Sequence, residues 1–508
     1  MPAPLAVDPN NPKPGLYLKV DLLRGATSAG AAGLRAAIIS PPASTPGNIA
    51  VGTEIRPVYS KEDVELALGR GLGYYAYQSL FANDPAALVD VIACAESAGA
   101  AAAGTLTFSG TPTANETYEA TIQGVAIQLS WNVGESTTQA RDNAIARINQ
   151  YGADLFAIAS AGAAGVVNLT ARSKGPCGND VRLRVRKIAG SGGTCTASGA
   201  TLTGGTTEVD MSTALGTAAT KEYDFILICA SNTDAQSASA SSNPGRLGTH
   251  IDTYLTGSTA KLQQGIYGST GSIASTKTNT IARNHPNLEH VLSVNDESLP
   301  CELAAAELGD RMRRRRLKPN ANRVLQPLKR VRGSADKVAD QPTDPEAIDA
   351  LNNGVSLVGY DASGTPIILR SVTTHSIDGL GNADRRAFDT ADIDGLYSYA
   401  KDMRGAIPQQ FLSPDGQVNI AKNRQEGDEE LPPGVVEERD VKSFVITRTR
   451  DVWITAGVID GVKFERAVNE NRIISEVNAS DPTQLDLFVP ASCFKILAKI
   501  GLYIGKEA

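Results

Sequence analysis

The stretch YDFILICA, residues 223–230, decides the fold class. Its apolar side chains follow one another almost without interruption, which is typical of a strand covered on both faces. Helices are predicted at 243–263 and 301–316, and they alternate with the strands GIYGST and LEHVLSV. This alternation predicts an α/β sheet with helices on both sides.

The chain upstream of this stretch begins the same sheet. The strands LRAAIIS at 34–40 and ALVDVIAC at 87–94 enclose two predicted helices, KEDVELALGRG and GLGYYAYQSLF. The glycine-rich GRGLG follows a helical pattern rather than a strand, so we interpret it as a helix break and not as a phosphate-binding loop. We therefore expect a discontinuous α/β domain formed by residues 25–100 and 175–344.

A different composition separates the two parts of this domain. After ESAGAAAAG, the segments GTLTFSG, TYEATIQ and VAIQLSW alternate apolar and polar residues with the period of a strand. The next segment carries Ala140, Ala144, Ile145 and Ile148 at helical spacing, and LFAIAS and GVVNLTAR return to the strand pattern. We predict a small inserted β-rich domain over residues 101–174. After it, KGPCGNDVRLRVRKI is expected to turn and re-enter the α/β domain as a buried strand.

The last third of the chain, residues 345–508, is predicted to be an α+β domain. It starts with a hairpin, GVSLVGYDASGTPIILRSVTTH, that turns at Asp361 to Gly364. A second helix is expected over roughly 439–456, and the carboxylate-rich EGDEELPPGVVEERD before it is interpreted as a solvated connector. The first helix has one apolar face, made of Ile393, Leu396, Tyr397, Ala400, Met403 and Ile407.

Both ends of the chain carry the pattern of a strand. Residues 1–24 form an arm in which five prolines precede GLYLKVDLL, and GATSAGAAG after it is suited to a hinge. At the other end the alternation continues almost to the last residue. The alternating apolar residues are Leu16, Leu18, Val20 and Leu22 in the arm, and Phe494, Ile496, Ala498, Ile500, Leu502 and Ile504 in the C-terminal strand.

Composition limits the classes of function. The 508-residue chain is too long for one ordinary core, and 42% apolar with 20% charged residues is typical of a folded protein. A net charge of −7 gives no global attraction to nucleic acid. We expect neither a membrane span nor a secretory signal, because the sequence has no long apolar run and no basic N-terminal region before one. A protein folded in a cytoplasm is expected.

The cysteines and histidines do not form a recognisable site. The six cysteines, at 94, 177, 195, 229, 301 and 493, have no metal-ligand spacing and are expected to be buried thiols. Cys177 and Cys195 flank a predicted hairpin and could form a bridge, and Cys493 could cross-link subunits. The four histidines, at 250, 285, 290 and 375, are interpreted as surface or capping residues. We predict no catalytic residues, no metal and no cofactor.

Several separated stretches, in order, resemble contractile phage tail sheath proteins, most closely the Mu-like branch. They are GTLTFSG through VVNLTARSKGPCGNDVRLRV, then TGGTTEVDMSTALGTAATKEYDFILICASNTD, then ALNNGVSLVGYDASGTPIILRSVTTH, and finally FERAVNENRIISEVNASDPTQLDLFVPASCFKILAKI. Together they cover most of the chain from about residue 30. The region RMRRRRLKPNANRVLQPLKRVRG departs from the family pattern, because it is more basic.

The resemblance implies a structural protein. Its copies would stack as hexameric rings into a helical sleeve around a tail tube, between a baseplate and a tail terminator, and contraction would drive the tube through a host envelope for genome delivery. The resemblance also implies assembly in the host cytoplasm into the tail of a virion. The middle region of the family is often described as subtilisin-like in shape, but no Asp, His and Ser motifs of a triad occur here.

The terminal strands can be interpreted in two ways. Within the resemblance, they would complete sheets in neighbouring subunits by β-augmentation, with the alternating side chains filling pockets. The alternative is that both strands pair within their own subunit.

Other interpretations of the whole chain remain open. The sheath of a pyocin-like or secretion-type injection machine would share the mechanism without the viral context. The basic run, including Arg313, Arg314, Arg315 and Arg316, could contact a tube or a neighbouring subunit, could be a solvated helix end, or could bind nucleic acid. Missing interleaved aromatics argue against nucleic acid, and a missing GxSxG motif argues against an α/β hydrolase.

Overall fold

The structure is a computed structural model that describes residues 33–45, 47–255, 260–411, 419–425, 434–480, 484–490 and 492–494. The predicted N-terminal arm lies outside these ranges, as does the C-terminal strand beyond Phe494. Among the described helices, none combines the length and the apolar composition needed to cross a membrane.

In the middle of the chain, from Phe225 to Tyr360, one or two helices separate each strand from the next. The strands are β1 (Arg35–Ser40), β2 (Ile55–Val58), β3 (Leu88–Ala93), β4 (Ala101–Ile122), β5 (Val125–Trp131), β6 (Ala157–Ala161), β7 (Val166–Lys174), β8 (Leu183–Ala197), β9 (Phe225–Ile228), β10 (Gln264–Ser269), β11 (Leu288–Ser293), β12 (Gln326–Pro327), β13 (Ser356–Tyr360), β14 (Pro366–Arg370), β15 (Asn419–Ala421), β16 (Val435–Glu437), β17 (Ile474–Val477) and β18 (Leu485–Phe488). The α-helices are α1 (Lys61–Leu68), α2 (Leu72–Asn83), α3 (Thr137–Gln150), α4 (Ser212–Ala218), α5 (Asn232–Ala235), α6 (Asn243–Tyr254), α7 (Ile273–Arg283), α8 (Pro300–Leu317), α9 (Asp344–Asn352), α10 (Thr390–Phe411), α11 (Glu438–Arg448) and α12 (Gly461–Asn469).

A nine-stranded sheet forms the main body, in the order β12-β14-β13-β11-β10-β9-β1-β3-β2. The six strands from β13 to β3 in this order run parallel, while β2, β14 and β12 are antiparallel to their neighbours. The strand β9 is buried along its whole length. The predicted α/β sheet is confirmed, and the strand predicted at YDFILICA is covered on both faces as expected.

Two hydrophobic clusters cover the two faces of this sheet. Alternate residues of β1 divide between them: Ala36 and Ile38 lie in one cluster, and Ala37 and Ile39 in the other. Such a division requires a nearly continuous apolar sequence, because both faces of each strand are covered.

The GRGLG segment is a helix break, as predicted. Gly69 ends α1 with a φ of 67°, a backbone conformation that glycine adopts most easily. Gly71 precedes α2, and a Cβ atom there would lie 2.8 Å from the backbone nitrogen of Ala43. The two glycines therefore serve the sharp turn and the close packing of the chain.

A second, five-stranded sheet is built on the long strand β4. On one side β4 pairs with β7 and β5, on the other with β8, and β6 extends the sheet beyond β7. The helix α3 covers one face, and Ala140, Ala144 and Ile148 are buried as their spacing predicts.

The predicted boundary of the inserted domain at residue 174 needs a correction. The strand β8 does not re-enter the main sheet: it pairs with β4 over most of its length, and most of its residues are exposed. The small sheet therefore extends past residue 197. Its cross-strand partner lies some 80 residues earlier in the chain, so the local pattern of β8 could not reveal the pairing.

The predicted start of the C-terminal domain at residue 345 also needs a correction. The strands β13 and β14 form the predicted hairpin, with Gly364 donating from its N–H to the carbonyl of Asp361 at 2.9 Å, but they complete the main sheet rather than a separate domain. The C-terminal unit begins within α10.

The helix α10 joins the main body to the C-terminal unit. Leu396 and Tyr397 pack near Leu262 of the main body, whereas Met403 and Ile407 pack in the C-terminal core with Trp453. This core lies between α10, α11, α12 and the π-helical turn Thr449–Ile454. All six residues of the predicted apolar face of α10 are buried.

Candidate functional site

Only one residue of the predicted terminal strands lies in the described part of the chain. Phe494 is 45% exposed, and its N–H donates to the carbonyl of Val458 at 3.1 Å. Cys493 forms an antiparallel bridge with Ile459. The chain therefore leaves toward the predicted C-terminal strand from the edge of the C-terminal core. The arm residues Leu16, Leu18, Val20 and Leu22, and residues 496–504, lie outside the described residues.

Two small sheets lie on the C-terminal core. The strands β17 and β18 pair antiparallel over four residues each, and β15 and β16 pair parallel over three. Leu485, Leu487, Ile420 and Val436 from these strands pack against the core. Within the described ranges neither sheet has a third strand, so each has open edges. A strand edge with unpaired N–H and C=O groups is a template for another strand.

The basic run on α8 is divided between the interior and the surface. Arg315 is 1% exposed at its side chain, whereas Arg313 is 43% exposed. Arg313 and Arg314 both contact the buried carboxylate of Asp310, at 2.7 and 2.9 Å, and Arg316 pairs with Asp84. The partner contact predicted for this run can therefore involve Arg313, Arg314 and Arg316 in this structure, but not Arg315.

Arg311 is the centre of a buried cluster of charges. Its guanidinium donates to both carboxylate oxygens of Asp394, each at 2.8 Å, and to Glu289 Oε2 at 2.6 Å. It also donates to Gln264 and lies 4.9 Å from the centre of the Phe225 ring. Paired N–H donors that match the two oxygens of a carboxylate are among the stronger hydrogen bonds in proteins.

Arg315 extends this cluster one helical turn further. It lies 3.4 Å from Asp394 Oδ1 and 3.5 Å from Asp224 Oδ1, and its Nε donates to Ser398 Oγ at 3.2 Å. We call Arg311, Arg315, Asp394, Glu289 and Asp224 the arginine cluster. It connects α8, the main sheet and α10.

The charges of the arginine cluster stabilise one another. Burial disfavours the charge on Arg311, but Asp394 and Glu289 outweigh this effect and raise its pKa. Burial likewise opposes the charge on Asp394, but Arg311 and Arg315 outweigh it and lower its pKa. Arg311 and Asp394 are therefore charged at neutral pH, and the loss of either one leaves a buried charge without this partner.

The sequence interpretation missed this cluster for a clear reason. The run RMRRRR has the composition of a solvated helix end, and Asp394 is 83 residues away from Arg311. One signal was available: Ala304, Leu308, Arg311 and Arg315 follow the spacing of a single helical face. An apolar stripe that continues into two arginines indicates buried cations with distant acidic partners.

Two carboxylates lie where the small sheet meets the main body. Asp180, in the 3-10 helix Pro176–Asp180, accepts from the N–H and Nδ2 of Asn232 at 3.0 and 3.1 Å. Glu208 accepts from Ser231 Oγ at 2.5 Å. Burial raises the pKa of Asp180 to about 7, and it also raises the pKa of Glu208 to about 7.

The histidines and cysteines do not assemble into a catalytic centre among the described residues. His290 Nε2 lies 2.9 Å from Ser269 Oγ, but both side chains are buried, and burial lowers the pKa of His290 to about 3. His250, His290 and His375 are buried, which corrects the interpretation of these three as surface residues. All six cysteines are buried, and Cys177 and Cys195 are free thiols, so the bridge considered between these two is not formed. In the described ranges, no group of three His, Cys, Asp or Glu side chains could hold a metal ion.

Comparison with known proteins gives likeness of structure alone. No protein-family model matches the chain, and no curated protein matches it. A sheath tail protein from Listeria innocua is 13% identical, with 92% of this chain and 96% of that chain covered and a TM-score of 0.44. A sheath tail protein from Desulfitobacterium hafniense is 12% identical, with 95% and 99% covered and a TM-score of 0.43. A chain of the baseplate of an anti-feeding prophage is 11% identical, with 98% and 100% covered and a TM-score of 0.45.

The solved structures that the chain resembles thus include sheath tail proteins, the family to which its sequence stretches are similar. Likeness at these TM-scores carries no functional argument. The Mu-like branch stays a prediction.

Proposed function

We propose that the chain is the structural subunit of a contractile phage tail sheath. Its copies polymerise as stacked hexameric rings around a tail tube, and the sleeve shortens to drive the tube through the host envelope for genome delivery. The role is structural rather than catalytic. The partners are further copies, the tail tube protein, and baseplate and terminator proteins; assembly takes place in the host cytoplasm, and the assembled subunit lies in the tail of the virion.

The observation that carries this proposal is the pair of two-stranded sheets on the C-terminal core. A two-stranded sheet is marginally stable alone, and further strands on its edges stabilise it. The chain has two more strand-forming segments, one in the N-terminal arm and one after Phe494, with alternating apolar residues. Donated to neighbouring copies, these strands would complete the sheets by β-augmentation, with main-chain hydrogen bonds as the attachment.

A donated strand on a long linker also suits contraction. Rigid bodies can move by large distances while donated strands stay paired, provided that the linkers are long and each subunit moves as a unit. The arginine cluster supports the second condition, because it fixes α10 to the main body while α10 also carries the C-terminal core. Arg313, Arg314 and Arg316 are then available on the surface for an acidic neighbour or tube.

Deletion of residues 1–23 tests the proposal directly. A strand that is donated to a neighbour removes no core residue from its own subunit, so we expect a soluble monomer with nearly unchanged thermal unfolding that forms no filaments in electron microscopy. A chain that lacks only residues 1–13 is the matched control: it keeps GLYLKVDLL and should form filaments. Val20→Pro removes one backbone donor and should cost about 3 kcal/mol at each pairing, which would also abolish long assemblies.

Two results would overturn the proposal. If the 1–23 deletion unfolds as a monomer, the strand belongs to its own subunit. If it forms filaments of normal length, the arm does not carry the assembly.

A further inference from the structure

The C-terminal unit has a groove between the π-helical turn and α12. It has a volume of about 790 Å³ and is lined by Arg450, Ile454, Gly461, Val462, Glu465, Arg466, Asn469 and Glu470. Val462 is 72% exposed and forms an apolar wall with Ile454. A Cβ atom at Gly461 would lie 2.8 Å from Ile454 Cγ2, so glycine permits the close approach of the two walls.

Some of the charged side chains at this groove form ion pairs among the described residues, and one does not. Arg450 and Glu465 pair through two hydrogen bonds, at 2.7 and 2.6 Å, and so neutralise each other. Arg466 lies one helical turn after Val462 and forms no ion pair within the described ranges. The groove therefore presents an apolar wall and, about 6 Å along the helix, an unpaired cation.

A surface loop of the main body, closed by Ile377 and Ala383, has the complementary features. Leu380 is 89% exposed at the tip of the turn that Ile377 and Ala383 close by an antiparallel bridge. Asp378 Oδ1 accepts from the N–H groups of Leu380 and Asn382, at 2.8 and 2.9 Å. These bonds lower the pKa of Asp378, so it is charged at neutral pH.

The base of this loop is fixed as well. The side chain of Asn284 donates to the carbonyl of Ile377 at 2.8 Å and accepts from the N–H of Ser376 at 2.9 Å. The backbone of the loop is thus held by hydrogen bonds, with the Leu380 side chain in solvent. A loop whose backbone is already ordered loses less entropy when a partner covers it.

We propose that the Leu380 loop of one copy docks in the groove of a second copy. Leu380 packs on Ile454 and Val462, and Asp378 pairs with Arg466. The two contact points match in spacing, because residues two apart in a turn and residues four apart on a helix are separated by similar distances, roughly 6 Å. The surfaces differ, so the contact is head-to-tail and generates an open or ring-shaped assembly. The inference rests on the proposed function for its choice of a second copy as the occupant.

Cross-linking tests the contact without relying on filaments. All six native cysteines are buried, so cysteines introduced by Leu380→Cys and Val462→Cys are the reactive ones. An equal mixture of the two single variants, treated with a short bis-maleimide, should give a covalent dimer that neither variant gives alone. The matched control replaces Val462→Cys by Val133→Cys, an exposed valine on the small sheet. No dimer, or an equal yield in the control mixture, would overturn the proposal.

Substitution at the contact gives a second, independent measurement. Leu380→Asp and Arg466→Glu should each raise the protein concentration needed for assembly by about tenfold or more, whereas Val338→Asp and Lys61→Glu, at exposed residues outside the groove and the loop, should not. Unchanged assembly of both contact variants contradicts the docking. If the parent protein forms no filaments, that result counts against the proposed function and not against the docking. The cross-linking experiment tests the docking without filaments.

Discussion

At the scale of single residues, the arginines of α8 are the main surprise. A basic run of this composition suggests a solvated helix end, but two of its arginines are buried. Arg311 and Arg315 are enclosed by Asp394, Glu289 and Asp224. Removal of one partner of a buried ion pair lowers the free energy of unfolding strongly, because the other charge stays buried without a partner. Replacement of the whole pair by apolar residues lowers it much less.

Asp394→Asn should therefore destabilise the protein strongly. The amide cannot balance two buried guanidinium groups, and we expect a loss of about 3–5 kcal/mol in the free energy of unfolding, measured by denaturant titration. The matched control is Asp451→Asn, the same substitution at an exposed carboxylate, which should change stability by less than about 0.5 kcal/mol. Equal effects of the two substitutions would mean that the arginine cluster does not stabilise the fold.

Asp180 and Glu208, where the small sheet meets the main body, predict how the free energy of unfolding depends on pH. Their effect is opposite in sign to that of a carboxylate in an ordinary ion pair, which stabilises the fold at high pH. Burial raises the pKa of Asp180 and of Glu208 to about 7, above the ordinary value of about 4, so the folded state holds their protons more tightly than the unfolded state. Their contribution is present at low pH and is lost as the pH rises from about 4 through about 7.

Glu208→Gln and Asp180→Asn should remove this contribution. In the double variant the free energy of unfolding should fall less between pH 4 and pH 7 than it does in the parent protein, since neutral amides do not titrate. The difference between the two proteins is the quantity to measure, because other carboxylates add slopes common to both. Identical pH profiles would show that the two groups titrate normally.

At the scale of elements, the strand β8 determines where the small domain ends along the chain. It pairs with β4 from Leu183 to Ala197 and leaves one long edge exposed. The chain enters and leaves this domain at neighbouring points: the N–H of Thr206 donates to the carbonyl of Ala100 at 3.3 Å. The unit that can be removed therefore extends to about residue 205.

Two deletions distinguish this boundary from the one predicted from sequence. Joining residue 100 to residue 206 by a short Gly/Ser link removes the whole small sheet, and we expect a soluble body with the circular dichroism of its α/β sheet. Removing residues 101–174 alone leaves β8 without β4, and its unpaired edges should cause aggregation. Equal solubility of the two proteins in size-exclusion chromatography would contradict the assignment of β8.

At the scale of the whole molecule, α10 connects the main body to the C-terminal core. The sequence predicts the apolar face of this helix but not that the face is shared between two cores. The first half of α10 packs on the main body and its second half on the C-terminal core. The proposed sleeve needs such a connection, because a donated strand can move a neighbour only if the unit that receives it is firmly attached to the rest of the subunit.

Local patterns of the sequence predict the α/β class, the strand covered on both faces at 223–230, the helix break at GRGLG and the buried faces of α3 and α10. Each of these follows from periodicity or composition within a short window, which the local chain carries completely. The tertiary structure alone decided that β8 joins β4, that β13 and β14 join the main sheet, and that Arg311 meets Asp394. These are contacts between distant parts of the chain, and their free energy depends on which surfaces are brought together and dehydrated, which no local pattern specifies.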